Sequence, residues 1–140
     1  MKLVVASDEK TYLTDEVIKY LRKKGHQTIL IGALKEKNDH WVEIGQQSAK
    51  KILKGEAKQG ILFCFSGTGI AMAANRFKGI RAALCWDAQT ARLARKWDNA
   101  NVLVLSLRFT SSDLAKEIID AFFSTKFDEE GFNEAHKLDE

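Results

Sequence analysis

Residues 61–76 read ILFCFSGTGIAMAANR: an apolar run, a cysteine, a glycine-spaced turn and a segment of small residues. Ile61 to Phe65 reads as a strand, Ser66-Gly67-Thr68-Gly69 as the turn, and Ile70 to Arg76 as a short helix. The apolar run is nearly continuous, as expected of a strand covered on both faces of a sheet. Its place in the fold depends on what flanks it.

Upstream, Leu3 to Ser7 predicts the first strand, and Thr14 with Asp15 and Glu16 a helix start. Val17, Ile18 and Leu21 mark one face of that helix, which Gly25 ends. Thr28 to Ile31 predicts the second strand, 33–40 a polar loop, and Trp41 to Leu53 a helix closed by Gly55. Downstream, Ile80 to Cys85 predicts the fourth strand and Asp87 to Lys96 a helix capped by Asp87. Val102 to Leu105 predicts the fifth strand, and Ser111-Ser112-Asp113 opens a last helix through Phe123 before a polar tail. Strands and helices alternate throughout, so the expected fold is α/β: a three-layer α/β/α Rossmann-like sandwich with a five-stranded parallel sheet. No linker or repeat divides residues 1–140, so one domain is expected.

The totals agree with that frame. The chain has 140 residues, 45% hydrophobic and 29% charged, which is ordinary for a globular domain able to bury a core. A net charge of +3 is too small to imply nucleic acid. The basic run Arg22-Lys23-Lys24 falls at a helix end, where cations complement the dipole. No apolar stretch approaches the ~20 residues of a membrane span, and the N-terminus lacks a long apolar leader region. Cys64 and Cys85 are the only cysteines, without CxxC spacing, so a reduced, cytoplasmic protein is expected.

In such sheets ligands bind beyond the carboxyl ends of the strands. That rule selects Ser7-Asp8-Glu9, residues 32–41, Cys64 to Gly69, Asp87 and Ser106 to Arg108. Gly67-Thr68-Gly69 is not a dinucleotide fingerprint: Met72 stands where the third glycine belongs, and the turn follows the third strand. GxxxxGK[ST] is absent. Ser66-Gly67-Thr68-Gly69 at a helix N-terminus still offers backbone N–H donors to an anion or oxyanion. A lone cysteine is more often a small core residue than a reagent, but amides at a helix N-terminus favour the thiolate, so Cys64 is a candidate nucleophile or base. Cys85, with no such turn, reads as core. Asp8 fits a helix cap or a sugar-hydroxyl contact. His40 and Trp41 fit a ligand contact or a solvated loop. His26 reads as a connector, Trp97 as packing and His136 as part of the tail.

Several stretches together resemble one family. They are Val-Ala-Ser-Asp8, Gly55-Glu56-Ala57, Cys64 with Ser-Gly-Thr-Gly, Ala73-Ala74-Asn75-Arg76, Gly79 to Cys85, and Ala100-Asn101-Val102-Leu103. In this order they are similar to the ribose-5-phosphate isomerase B and galactose-6-phosphate isomerase group. The resemblance implies aldose–ketose interconversion of a sugar phosphate through an enediol(ate), without metal or cofactor. It also implies a homodimer or dimer of dimers with a shared active site, which the tail, 126–140, would pack on or reach.

The resemblance makes Cys64 the base moving a proton between C1 and C2, with Ser66 beside it and Gly67 and Gly69 N–H groups on the oxyanion. Ring opening falls to Asp98 or occurs uncatalysed. The implied substrate-binding set is Asp8, Glu9, Trp41, Gly67, Thr68, Gly69, Asn75, Trp97, Asn99 and Arg108, with Arg108 on the phosphate.

The chain also departs from the family pattern. Glu9 replaces a usual histidine, and Arg95-Lys96-Trp97-Asp98 lacks the ring-opening one. Glu129-Glu130-Gly131-Phe132-Asn133-Glu134 replaces a basic tail. Each lost cationic contact to phosphate would be worth about 1.5–3 kcal/mol. Two function classes follow: an active isomerase, or a non-catalytic or altered-specificity paralogue, taking an unphosphorylated sugar or pairing with another family member. A redox-sensing thiol, resting on exposure of Cys64, is a third.

Overall fold

The computed structural model describes residues Met1–Glu140 and contains one parallel sheet of five strands in the order β2-β1-β3-β5-β4. The strands are β1 (Lys2–Ser7), β2 (Gln27–Gly32), β3 (Gln59–Cys64), β4 (Ala82–Leu84) and β5 (Val102–Ser106). The helices are α1 (Tyr12–Lys23), α2 (Trp41–Leu53), α3 (Thr68–Asn75), α4 (Ala88–Asp98) and α5 (Ser112–Ser124). Successive side chains of a strand point to opposite faces. Leu3, Val5, Ile61, Phe63, Leu103 and Leu105 therefore pack against α1, α4 and α5. Val4, Ala6, Leu62, Cys64, Val102 and Val104 pack on the other side, with residues of α2 and α3. The three-layer sandwich follows directly from that alternation.

Most element boundaries move from the expected ones for local reasons. Helix α1 begins at Tyr12, not at Thr14, because Thr11 and Thr14 form a capping box. Thr14 N–H donates to Thr11 Oγ1 at 3.3 Å, and Thr11 N–H to Thr14 Oγ1 at 2.9 Å. Asp87 and Ser111 cap α4 and α5 as expected, by accepting from Thr90 N–H at 2.7 Å and Leu114 N–H at 3.1 Å. The 33–40 connection contains a short 3-10 turn, Ala33–Lys35.

Strand β4 is shorter than the Ile80 to Cys85 expectation, and its outer edge is closed by a side chain. The Asn75 carboxamide donates to Ala82 O at 2.8 Å and accepts from Ala82 N–H at 2.7 Å, supplying the two bonds a neighbouring strand would make. Asn75→Ala is expected to cost about 1–2 kcal/mol, the net worth of two such bonds, read as a lower urea midpoint. An unchanged midpoint would show that the edge does not need this clamp.

The expected polar tail docks on its own chain through a 3-10 segment, Asn133–Asp139. Asp139 accepts from Gly79 N–H at 2.9 Å and pairs with Arg81 at 2.8 Å, while Phe132 lies 5.4 Å from the Trp97 ring.

Strand order fixes where a ligand can sit. The chain leaves β1 for β2 on one side and for β3 on the other, which opens a crevice beyond the carboxyl ends of β1 and β3. Ser7 pairs with Phe63 in the register, so Asp8 and Cys64 are the next residues on the two sides of that crevice. On its other flank Cys64 pairs with Ser106.

Candidate active site

Cys64 ends β3, and its side chain turns toward the α2–α3 layer among Val4, Ala6, Ile44 and Ile70. Only 4% of the residue is exposed, which removes the redox-sensing reading. The sulfur is nonetheless not in a purely apolar setting. Gly67 N–H donates to Cys64 Sγ at 3.2 Å, made possible by the left-handed backbone of Gly67 at φ +82°. A Cβ on Gly67 would stand 2.5 Å from Leu84 Cδ1, so the turn needs glycine for space as well as for conformation. Cys85 differs in chemistry: burial, then Asp87 and Asp98, pushes its thiol up to about 12, leaving it a neutral core group.

The amide cradle is therefore arranged differently from the expectation. Gly67 and Gly69 were the two expected donors, but the Gly67 N–H is spent on the sulfur. Thr68 N–H is taken by Ser66 Oγ at 3.3 Å, and the Ser66 and Thr68 hydroxyls bond each other at 2.7 Å. Gly69 and Ile70 are left as the amides at the start of α3 without a partner in the chain, and only Gly69 is open to a ligand, since Ile70 is fully buried. Ile70 was not expected; the signal was only that helices leave their first N–H groups free. Trp41, at the first turn of α2, lies across this start: a Cβ on Gly69 would meet its indole at 3.0 Å. Trp41 is thus a wall of the cradle.

Asp8 follows β1 half-buried beside it. Burial holds its carboxyl above the usual range, with Glu9 adding to the rise and the backbone and His40 opposing it. Glu9 is exposed, and its N–H is held by Ser7 Oγ at 3.1 Å. Arg108 leaves β5 on the same edge. Its N–H donates to Phe65 O at 3.0 Å, and its exposed guanidinium enters no ion pair. Cys64, Ser66, Gly67, Thr68, Gly69, Asp8, Glu9, Trp41 and Arg108 thus share the carboxyl edge of the sheet.

The other predicted residues do not join them within one chain. Asn75 sits at the far end of α3 and is occupied by β4. Trp97, Asp98 and Asn99 end α4 at the amino edge, one strand length, roughly 13 Å, away. Asn99 is the left-handed C-cap at φ 50°, its carbonyl accepting from Arg81 at 2.7 Å. Burial raises the Asp98 carboxyl above its usual range. No group of three or more His, Cys, Asp or Glu is gathered that could hold a metal ion. No helix is long and apolar enough to cross a membrane.

A parallel three-layer sandwich with a thiol, a carboxylate, free helix amides and a guanidinium on one edge has the makings of a sugar isomerase. Residues 3–140 match the family described as Ribose/Galactose Isomerase, and the chain belongs to that family. It is 40% identical over 112 residues to the galactose-6-phosphate isomerase subunit LacB of Clostridium acetobutylicum, covering 80% of this chain and 65% of that one. Against ribose-5-phosphate isomerase B of Escherichia coli the identity is 34% over 116 residues, covering 83% and 78%. The crystal structure of a ribose 5-phosphate isomerase from Thermotoga maritima superposes with a TM-score of 0.89 at 38% identity, covering 99% of this chain and 97% of that one. The chain thus spans just under two thirds of the LacB relative it matches.

Proposed function

We propose that this protein interconverts an aldose and a ketose phosphate, of the ribose 5-phosphate kind, by proton transfer through an enediolate. The observation that carries the reading is the Gly67 N–H aimed at Cys64 Sγ from a turn whose next open amide is that of Gly69. A thiolate held by that N–H removes the proton from C2 of the open-chain aldose. The electron pair forms the C1–C2 double bond, and the charge passes to the carbonyl oxygen at C1. The Gly69 N–H stabilises that oxyanion as charge builds. The C2 hydroxyl proton passes to the C1 oxygen, and the thiol returns its own proton to C1 as the C2 oxygen becomes the ketone. Asp8 orients sugar hydroxyls, Trp41 covers the cradle, and Arg108 holds the phosphate.

Ring opening falls to Asp98, a carboxyl at the end of α4 that burial raises above its usual range. One chain keeps Asp98 and Asn99 at the opposite edge from Cys64, so the complete site takes a second copy. A two-fold axis across the strands reverses their direction, bringing the amino edge of one copy to the carboxyl edge of the other. The working form is then a homodimer or a dimer of dimers with shared sites.

Mixing Cys64→Ala and Asp98→Ala proteins, each impaired alone, is expected to restore about a quarter of wild-type turnover with random pairing. No restoration would show that both residues serve within one chain. A second reading, that the chain is a subunit beside another family member, is favoured by the acidic tail of Glu129, Glu130 and Glu134, the last of which lines one cavity with Asp98. Turnover of ribose 5-phosphate or galactose 6-phosphate by the isolated homo-oligomer would exclude it.

A further inference from the structure

A separate cavity of about 210 Å³ opens on the carboxyl edge between the ends of β3, β4 and β5. Its walls are Trp86 and Phe109, which are 53% and 59% exposed despite their size. Ser66 and Arg108 complete the rim, and Cys85 lies behind. Ser66 belongs to both features: its hydroxyl bonds Thr68 at 2.7 Å at the head of the amide cradle, so cavity and cradle share a wall. Ser106 cannot serve a ligand, because its hydroxyl already donates to Phe65 O at 2.9 Å and accepts from Phe109 N–H at 3.2 Å. That second bond fixes the backbone that carries the Phe109 ring. Arg108 is the one charged group in the lining, and its guanidinium is unpaired. The volume is below the ~300–1,000 Å³ of sites that enclose a whole drug-sized ligand, so it suits one end of a small substrate.

We propose that Trp86 and Phe109 are specificity-determining residues that form, with Arg108, a pocket for the phosphate-bearing end of the sugar. This rests on the isomerase reading for the identity of the ligand. The aromatic walls exclude water from the guanidinium, which strengthens its paired hydrogen bonds to a phosphate dianion relative to an open surface. They also present apolar faces to the carbon next to the phosphate ester, while the reacting carbons extend past Ser66 to the cradle. A sugar lacking the phosphate would leave Arg108 unpaired against two apolar walls and bind poorly.

The probes are inorganic phosphate and ribose 5-phosphate, added to the full chain and followed by tryptophan emission. Both are expected to change the emission of wild-type protein and of Cys64→Ala, while inorganic phosphate, which does not reach Trp41 at the cradle, should leave that of Trp86→Phe unchanged. Arg108→Gln and Phe109→Ala should each weaken the binding of both probes by tenfold or more, and unphosphorylated ribose should give no change. Emission changes with inorganic phosphate that survive in Trp86→Phe, or phosphate affinity unaltered in Arg108→Gln, would overturn the pocket. So would conversion of Trp86→Ala to a smaller species by light scattering, which would assign the cavity to a second copy. Cys64→Ala that keeps turnover, with the Trp86 response intact, would remove the base assignment and leave the pocket standing.

Discussion

Cys64→Ala is expected to lower turnover by roughly 10²–10⁴-fold, the range of one general base, with the fold retained. The side chain is small and buried, so its truncation removes about one methylene's worth of packing, about 1 kcal/mol. Cys64→Ser separates the two roles more sharply. A serine oxygen can still accept from Gly67 N–H, so the turn keeps its bond, yet a hydroxyl is a far weaker source of anion near neutral pH. Stability of the serine protein should match wild type within about 1 kcal/mol while turnover falls as far as in Cys64→Ala. Rates are to be read as kcat/KM on ribose 5-phosphate, and stability as the urea midpoint. Turnover within threefold of wild type in either variant would make Cys64 a packing residue, as its neighbours Val4, Ala6 and Leu62 are.

The layers of this fold were legible in the sequence because they rest on periodicity. Apolar runs such as Ile61 to Phe65 and Val102 to Leu105 can only be parallel strands covered twice, and Asp87 and Ser111 announce their helices by hydrogen-bonding chemistry that is local. The start of α1 was less visible, since Thr14 resembles a cap as much as the third residue of a capping box, and only the buried hydroxyl decides between them. Strand order was not legible at all. That β5 runs between β3 and β4 depends on how crossovers α3 and α4 pack, a tertiary matter no local pattern records.

The candidate site divides the same way. Cys64, Asp8 and Arg108 stand directly after strands, so the carboxyl-edge rule gathers them on one edge from sequence alone. Asp98 and Asn99 follow a helix and precede β5, so the same rule puts them on the other edge. Asn75 illustrates a different limit. A carboxamide at a helix end looks equally suited to a sugar hydroxyl and to a backbone edge, and only coordinates reveal Ala82 at 2.7 and 2.8 Å. The turn of Gly67 N–H onto the sulfur was hidden because it depends on a left-handed dihedral, for which glycine gives permission but not proof.

That dihedral gives the second large effect. Gly67→Ala is expected to cost about 2–4 kcal/mol: 1–2 for an L-residue in the left-handed region and a similar amount for moving Leu84 away from a Cβ at 2.5 Å. Relief of either strain carries the Gly67 N–H away from Cys64 Sγ, so kcat/KM should drop at least tenfold in protein that remains folded. Gly69→Ala is the informative contrast. Gly69 lies in the first turn of α3 and has no positive φ, so alanine there gains helix propensity of up to about 1 kcal/mol. Its Cβ meets the Trp41 indole at 3.0 Å, and Trp41 is partly exposed and free to swing outward, so stability should stay within about 1 kcal/mol of wild type. The displaced indole changes the wall over the Gly69 amide, which should appear as a raised KM. Gly67→Ala losing both stability and rate, beside Gly69→Ala losing binding alone, would tie the sulfur's hydrogen bond to the chemistry. Equal stability losses in the two variants would mean that the turn is held by volume rather than by its left-handed residue, and the link between Gly67 and Cys64 would fail.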